Sequence, residues 1–250
     1  MLKLAWFTSV WDAQAVVLLR TVCIASRNSD LKVAITVVVC TNEKSPFAPD
    51  LAAVAKEYGI PVVHIDTSFF KESSPKSRSQ AATRGQEPWR SEYEEALVNR
   101  ISAFNFDLVV LAGYMWVAGP KLLRSYRMVN LHPAVPGTYA GTRDTVIDSL
   151  IRDNAQNAGA MIHIVDSTLD RGPALAYCEI PILGAEWDGI RTRPAEFKTA
   201  VERAILAAEP RLLVETLRFL SGLNTRSWPP ALSGLPKKIS VASCASKVTL

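Results

Sequence analysis

The sequence predicts an α/β fold: a mostly parallel central sheet with helices on both faces and a mixed C-terminal part. Three observations predict it. Apolar, strand-like runs alternate with helical patterns as far as residue 131, the arrangement that produces right-handed βαβ units. Those runs are nearly continuous in apolar character, as strands covered on both faces must be. Two further runs after residue 159 are joined by a short connection, and a parallel crossover needs a dozen residues or more.

The elements follow in order. Residues 2–8 form the first strand, and a helical pattern runs from Asp12, a residue of N-capping type, through Ala25. Residues 32–40 are dense in Val, Ile and Thr and read as a buried strand. Residues 49–58 are helical and stop at Gly59, which tolerates the left-handed position beyond a helix. A third strand spans 60–65. The polar stretch 71–88 reads as a long loop, and long loops in compact domains are functional or disordered. A helix over 91–104, a strand over 107–112, a short helix over 121–126 and a strand over 128–131 come next. Thr142 is placed to cap a helix over 142–154, followed by strands over 160–166 and 174–180. Apolar residues from Phe197 to Ala208 keep helical spacing, and Pro210 opens a second helical stretch ending near Gly222. Residues 1–222 therefore read as one domain, and 223–250, rich in Ser, Pro and Lys, as a partly irregular tail.

Composition narrows the function. With 48% hydrophobic and 21% charged residues among 250, the chain can bury a core. No stretch approaches the ~18 uncharged apolar residues of a membrane span, and the opening apolar run is too short for a signal peptide. The formal charge is only +4, and residues 71–90 hold five basic against two acidic side chains. A nucleic-acid binder spreads its basic residues along a face with aromatics between them. A solvated loop, or one meeting an anionic small molecule, suits this pattern better. Cys23, Cys40, Cys178 and Cys244 form no C-x-x-C pair, and His64, His132 and His163 lack ligand spacing. No metal or disulfide framework is expected, and the default setting is cytoplasmic, with no membrane partner.

Open α/β sheets bind ligands at the carboxyl ends of their strands. One strand ends in Asn130-Leu131-His132-Pro133, where alternation points Asn130 and His132 the same way. Asp170, in the turn-forming segment Leu169-Asp170-Arg171-Gly172-Pro173, can return to the same edge. An amide donor, an imidazole and a carboxylate suit acyl transfer to an amine. The carboxylate favours the imidazolium, which with the amide can serve a developing oxyanion. The carboxylate can also take the amine's proton. Each motif alone is also what an ordinary strand end or turn contains. His64 and His163 lie in strands and read as structural.

The run from Asn130 through Pro133 and Ala134-Val135-Pro136-Gly137, followed by Gly159 to Pro173, resembles the signature of the folate-dependent formyltransferases. It is most similar to the branch acting on glycinamide ribonucleotide. Val109 to Trp116 resembles that branch's strand and loop beside the pterin, and the order agrees over about residues 2–222. The resemblance implies a Rossmann-like formyltransferase fold. It implies transfer of a formyl group from the co-substrate 10-formyltetrahydrofolate to a primary amine, through a tetrahedral intermediate, in purine biosynthesis. Asn130, His132 and Asp170 match the catalytic trio. Met115, Trp116, Val117 and Ala118, with Val165, Asp166 and Leu169, match the segments around the pterin, and Arg90 matches an arginine facing the glutamate tail. Core packing for Met115 and Trp116, and a solvated helix start for Arg90, are the alternatives. Ser9, Trp11, Asp12 and Pro133 fall on the acceptor side. The partners implied are a small-molecule amine and folate, with the chain a monomer or homodimer.

Departures from that branch bear on the acceptor. Its Gly/Ser-rich phosphate turn is here Thr8-Ser9-Val10-Trp11-Asp12-Ala13, with no glycine. Asp12 repels phosphate, and β-branched Val10 resists the positive φ that an anion-binding nest prefers. Asp12 reads as a helix cap or as a partner for a cationic amine. Trp116 stands where ribonucleotide-specific members carry arginine. Another amine, such as an amino sugar or specialised metabolite, and a non-catalytic binding protein are the alternatives. A dinucleotide-dependent oxidoreductase is disfavoured, since the stretch after the first strand lacks G-x-G-x-x-G. Relatives with added domains, methionyl-tRNA formyltransferase and formyltetrahydrofolate hydrolase, fit the length less well.

Overall fold

A computed structural model describes residues 1–73, 89–223 and 235–240. Strand β1 (Leu2–Thr8) leads into α1 (Ala13–Arg27), then β2 (Val33–Cys40), α2 (Ala48–Glu57), β3 (Val62–His64) and α3 (Thr67–Ser73). The chain continues as α4 (Trp89–Ile101), β4 (Leu108–Leu111), α5 (Pro120–Ser125), β5 (Met128–His132) and α6 (Arg143–Arg152). It ends with β6 (Asn157–Ile164), β7 (Ala174–Pro181), α7 (Ala185–Arg191), α8 (Pro194–Ser221) and the short β8 (Lys237–Lys238).

One sheet contains all the strands, in the order β3-β2-β1-β4-β5-β6-β7-β8. Strands β3 through β5 are mutually parallel. β6 runs antiparallel to both β5 and β7, so the expected mixed end is present. The chain moves outward from β1 through β2 to β3, then returns to β4 and β5 on the other side. That reversal opens a crevice at the carboxyl ends of β1 and β4.

Alternation along the strands divides the core between the two faces. Leu4 and Trp6 pack with Leu19 of α1 and with Phe197 and Leu213 of α8. Ala5 and Phe7 pack with Tyr93 and Leu97 of α4 and with Leu122 of α5. Gly59, just beyond α2, has φ +67. Thr142 caps α6, its side chain accepting from the Thr145 amide. Cys23, Cys40 and Cys178 are buried. Among the described residues no helix is long and apolar enough to cross a membrane.

Three elements differ from the sequence reading. Lys71 lies in helix α3 rather than in the long polar loop, of which 74–88 fall outside the described residues. Residues 185–191 form α7, whose seven residues, about two turns, are too few to display a period. The two expected C-terminal helices are one 28-residue helix, α8, with Pro210 inside it. Proline lacks the amide that would bond the carbonyl four residues back. Here Gln14 of α1 supplies the missing donor: its Nε2 reaches the Leu206 carbonyl at 2.8 Å and Glu209 Oε2 at 2.8 Å. Burial of Ile205, Ala208, Leu212 and Leu213 on both sides of the proline holds the helix together. The tail contributes β8 as an edge strand beside β7, with its two lysines suited to an exposed edge; residues 224–234 and 241–250 lie outside the described residues.

Replacing Gln14 by Leu should strand two acceptors at once, the half-buried Leu206 carbonyl and the buried Glu209 carboxyl. A loss of about 1–3 kcal/mol in unfolding free energy, measured by urea denaturation, is expected; an unchanged midpoint would show that the proline needs no such partner.

Candidate active site

The crevice is furnished from β5, β6 and the loop after β6. Asn130 and His132 project from one face of β5. The antiparallel register places His163 of β6 directly opposite Asn130. The loop after β6 then turns back under Gly172, where an added Cβ would lie 1.9 Å from the Ile164 carbonyl oxygen. Only glycine permits that approach. The turn holds Asp170 at φ +53, a backbone region uncommon for a side chain other than glycine.

These contacts bring the three expected groups together. His132 is buried, with Nδ1 3.7 Å from Asp170 Oδ2. Its Nε2 lies 2.9 Å from the Tyr139 carbonyl. A carbonyl only accepts, so Nε2 carries hydrogen and Nδ1 is the nitrogen that faces the carboxylate. Asp170 Oδ2 accepts from the Gly141 amide at 2.9 Å, and Oδ1 accepts from Asn130 Nδ2 at 3.4 Å. Asn130 Nδ2 also sits 3.1 Å from His163 Nε2. His163 Nδ1 meets the Ile164 carbonyl at 2.8 Å and so donates to it, which leaves Nε2 to accept from the asparagine. Burial pushes the pKa of His163 down, with the nearby Ile164 carbonyl and Asp170 opposing that shift. The 3.9 Å approach of His163 Nε2 to Asp170 Oδ1 is therefore no ion pair: a neutral imidazole presents its lone pair there. His163 is thus a positioning partner of Asn130, beyond the structural role read from its strand location. The signal was the register of an antiparallel neighbour, which one sequence does not display.

The trio opens on a cavity of about 380 Å³. Among the expected residues it is lined by Asn130, His132, Asp170, Arg90, Met115, Trp116, Val117, Ala118, Val165, Asp166, Leu169, Asp12 and Pro133. Ser9 and Trp11 are not in that lining. Ser9 is buried, bonds Thr41 Oγ1 at 2.7 Å and accepts the Met115 amide at 3.0 Å, so it latches a lining loop from behind. Trp11 is 63% exposed. Val10 adopts the positive φ it was expected to resist, at +48. Complete burial of its side chain, with its amide bonded to Thr8 Oγ1 and its carbonyl to Ser45, imposes that conformation.

The lining divides into two groups by contact. Trp116 meets Trp89 edge-on at 5.5 Å, Lys71 Nζ sits 3.9 Å from its ring centroid, and Arg90 Nη1 donates to the Val117 carbonyl at 3.0 Å. Opposite in character, Asp12 caps α1 through the Gln14 amide and binds Arg143 Nη1 at 2.6 Å. Arg143 also approaches Glu202 at 3.4 Å, and Glu209, buried beside Gln14, completes the second group. Burial raises the Glu209 pKa to about 7, against the pull of Arg143 and Gln14. Arg143, Gln14 and Glu209 escaped the sequence reading, because ordinary helix residues carry no motif.

Residues 13–217 match the family described as Formyl transferase. The chain belongs to the formyl transferase family. It is similar to the phosphoribosylglycinamide formyltransferase of Schizosaccharomyces pombe, 29% identical over 187 residues, covering 72% of this chain and 79% of that protein. The Mycobacterium tuberculosis (strain H37Rv) protein of the same name is 34% identical over 123 residues, covering 48% of this chain and 55% of its own length. Among solved structures, glycinamide ribonucleotide transformylase 1 from Geobacillus kaustophilus superposes with TM-score 0.66 at 25% identity, covering 89% of this chain and all of that one (100%). The enzyme of that name from Symbiobacterium toebii gives TM-score 0.69 at 21% identity, covering 88% of each chain, and so shares the fold. As a formyl transferase, the chain keeps its polar trio at the strand ends where the topology opens the crevice.

Two outcomes test this site. Gly172→Ala should push the Asp170 turn off β6, lowering stability by roughly 1–3 kcal/mol in chemical denaturation and separating Asp170 from His132. Glu209, with its folded pKa raised from 4.5 to about 7, contributes stability that is full below pH 4.5 and lost as pH rises through 7. The denaturation midpoint of Glu209→Gln should therefore rise relative to the parent between pH 5 and pH 8; a constant difference would contradict the buried carboxyl.

Proposed function

We propose that this formyl transferase moves a formyl group from 10-formyltetrahydrofolate to a primary amine. Glycinamide ribonucleotide, the substrate in the relatives' names, is the first acceptor to test. One observation carries the reading: Asn130, His132 and Asp170 converge at the wall of one cavity.

The chemistry follows from those three groups. An amine attacks only when its nitrogen lone pair is free, so it must shed a proton as the new N–C bond forms. Asp170, held by the Gly141 amide, accepts that proton directly or through a water. The formyl oxygen gains negative charge in the same step. His132 protonated at Nδ1 and one N–H of Asn130 donate to it; the long 3.4 Å bond from Asn130 to Asp170 is the one most easily exchanged. Preorganised donors of this kind act strongly because they need no reorientation as the charge forms. Collapse breaks the bond between the formyl carbon and N10 of the folate, and the proton removed from the amine ends on that nitrogen.

The aromatic group supports a flat heteroaromatic donor. Trp116 Nε1 is buried with no partner among the described residues and lines the cavity, so a ligand acceptor would satisfy it. Arg90, whose Nη1 donates to the Val117 carbonyl, places its guanidinium 5.7 Å from the Trp116 ring centroid. A cytoplasmic setting fits the buried thiols. A different acceptor amine is favoured by one observation, the carboxyls gathered around Arg143.

His132→Ala should lower turnover by ~10²–10³, followed as the folate absorbance change with an amine acceptor. A parent-like rate in a variant with parent-like circular dichroism would remove His132 from the mechanism.

A further inference from the structure

A negatively charged acceptor group needs a compensating cation or a set of free amides, and the cation on this side of the cavity, Arg143, is already held by Asp12 and approached by Glu202. The amides at the N-terminus of α1 are the natural anion site of a first βα turn. Here the Asp12 side chain occupies that position by accepting the Gln14 amide at 3.0 Å. Arg143, at the start of α6, is bonded at Nη1 to Asp12 and approached by Glu202. Glu209 lies alongside, buried, with Gln14 as its donor. Three carboxyls thus surround one guanidinium, and a phosphate entering would meet net repulsion at short range in a poorly solvated space.

A second observation shows what does fit. Arg143 Nε is buried and without a partner among the described residues, and Arg143 lines the cavity. Any acceptor oxygen that reaches this N–H would satisfy it, and a hydroxyl or carbonyl does so without the repulsion that the carboxyls around Arg143 exert on a full anion. The loop that carries this group is the one whose Gly141 amide holds Asp170. The acceptor side is therefore wired to the base that receives the amine's proton.

We infer that the acceptor subsite formed by Asp12, Gln14, Arg143 and Glu209 takes a phosphate-free primary amine bearing hydroxyl or carbonyl oxygens. This rests on the formyl-transfer reading for the amine's reaction, and it narrows that reading's acceptor. A ligand whose charge sits in a phosphate is discriminated against by the fold itself, and the discriminating residues are Asp12 and Glu209.

Two matched pairs test it by calorimetry at pH 8: glycinamide riboside against its ribonucleotide, and glucosamine against glucosamine 6-phosphate. In whichever pair binds, the phosphate-free member should bind at least as tightly. Asp12→Asn, which keeps a capping side chain, and Glu209→Gln should each shift the affinity ratio toward the phosphorylated member by about tenfold. A phosphorylated member binding tenfold tighter to the parent overturns the inference, as does a ratio unmoved by both variants, or no binding of any of the four. Folate absorbance on the same samples tests the reaction separately: the expected binding order without turnover would retain the subsite and strike the formyl-transfer reading.

Discussion

The contact on which the site depends is the passage of Gly172 against the carbonyl of Ile164. That carbonyl is already used, because it accepts from His163 Nδ1. The turn can therefore close on β6 only where no side chain intervenes. Closure brings Asp170 round at a positive φ, and from there its two oxygens reach Gly141, Asn130 and the imidazole of His132. The bond from Ile164 also fixes the His163 tautomer, which fixes the direction in which Asn130 donates. One backbone oxygen thus orders a basic nitrogen, an amide and a carboxylate, and the strain of the Asp170 turn is stored where chemistry uses fixed geometry.

A second constraint couples the body of the fold to the acceptor side. Pro210 removes one amide from α8, and Gln14 crosses from α1 to serve the orphaned carbonyl. The same nitrogen holds Glu209, so a defect in helix bonding becomes the anchor of a buried carboxyl in the cavity wall. Burial favours the neutral form of that carboxyl while Arg143 favours the charged one. The balance leaves a group that changes charge near neutrality, at the cavity surface rather than deep in the core.

Much of this was legible in the chain. Continuous apolar runs through Val33 to Cys40 and Leu108 to Leu111 announced a doubly covered sheet, and the short link between the last two long strands announced its mixed end. Alternation and turn chemistry, which are local, put Asn130, His132 and Asp170 within reach of one sheet edge, and the resemblance to the formyltransferase signature singled them out. What was not readable lies across elements. His163 meets Asn130 through the register of β5 with β6, Arg143 meets Asp12 across 131 positions, and the continuity of α8 through Pro210 depends on a donor from another helix. Val10 misled for a related reason: its propensity argues against φ +48, yet tertiary burial and two hydrogen bonds outweigh a local preference of this size.

The turn after β1 joins the first helix to the wall of the cavity through Asp12. A helix N-terminus attracts negative charge whatever its source. Here the chain supplies that charge itself, through the Asp12 carboxylate that accepts the Gln14 amide. The same carboxylate holds Arg143, the guanidinium that lines this side of the cavity, so one side chain meets two positive features together. Nothing in the trio is disturbed, since Asn130, His132 and Asp170 reach each other through β5, β6 and the turn at Gly172. The trio's own contacts are thus distinct from those of the Asp12–Arg143 group, and the two meet where the Gly141 amide, two residues before Arg143, holds Asp170.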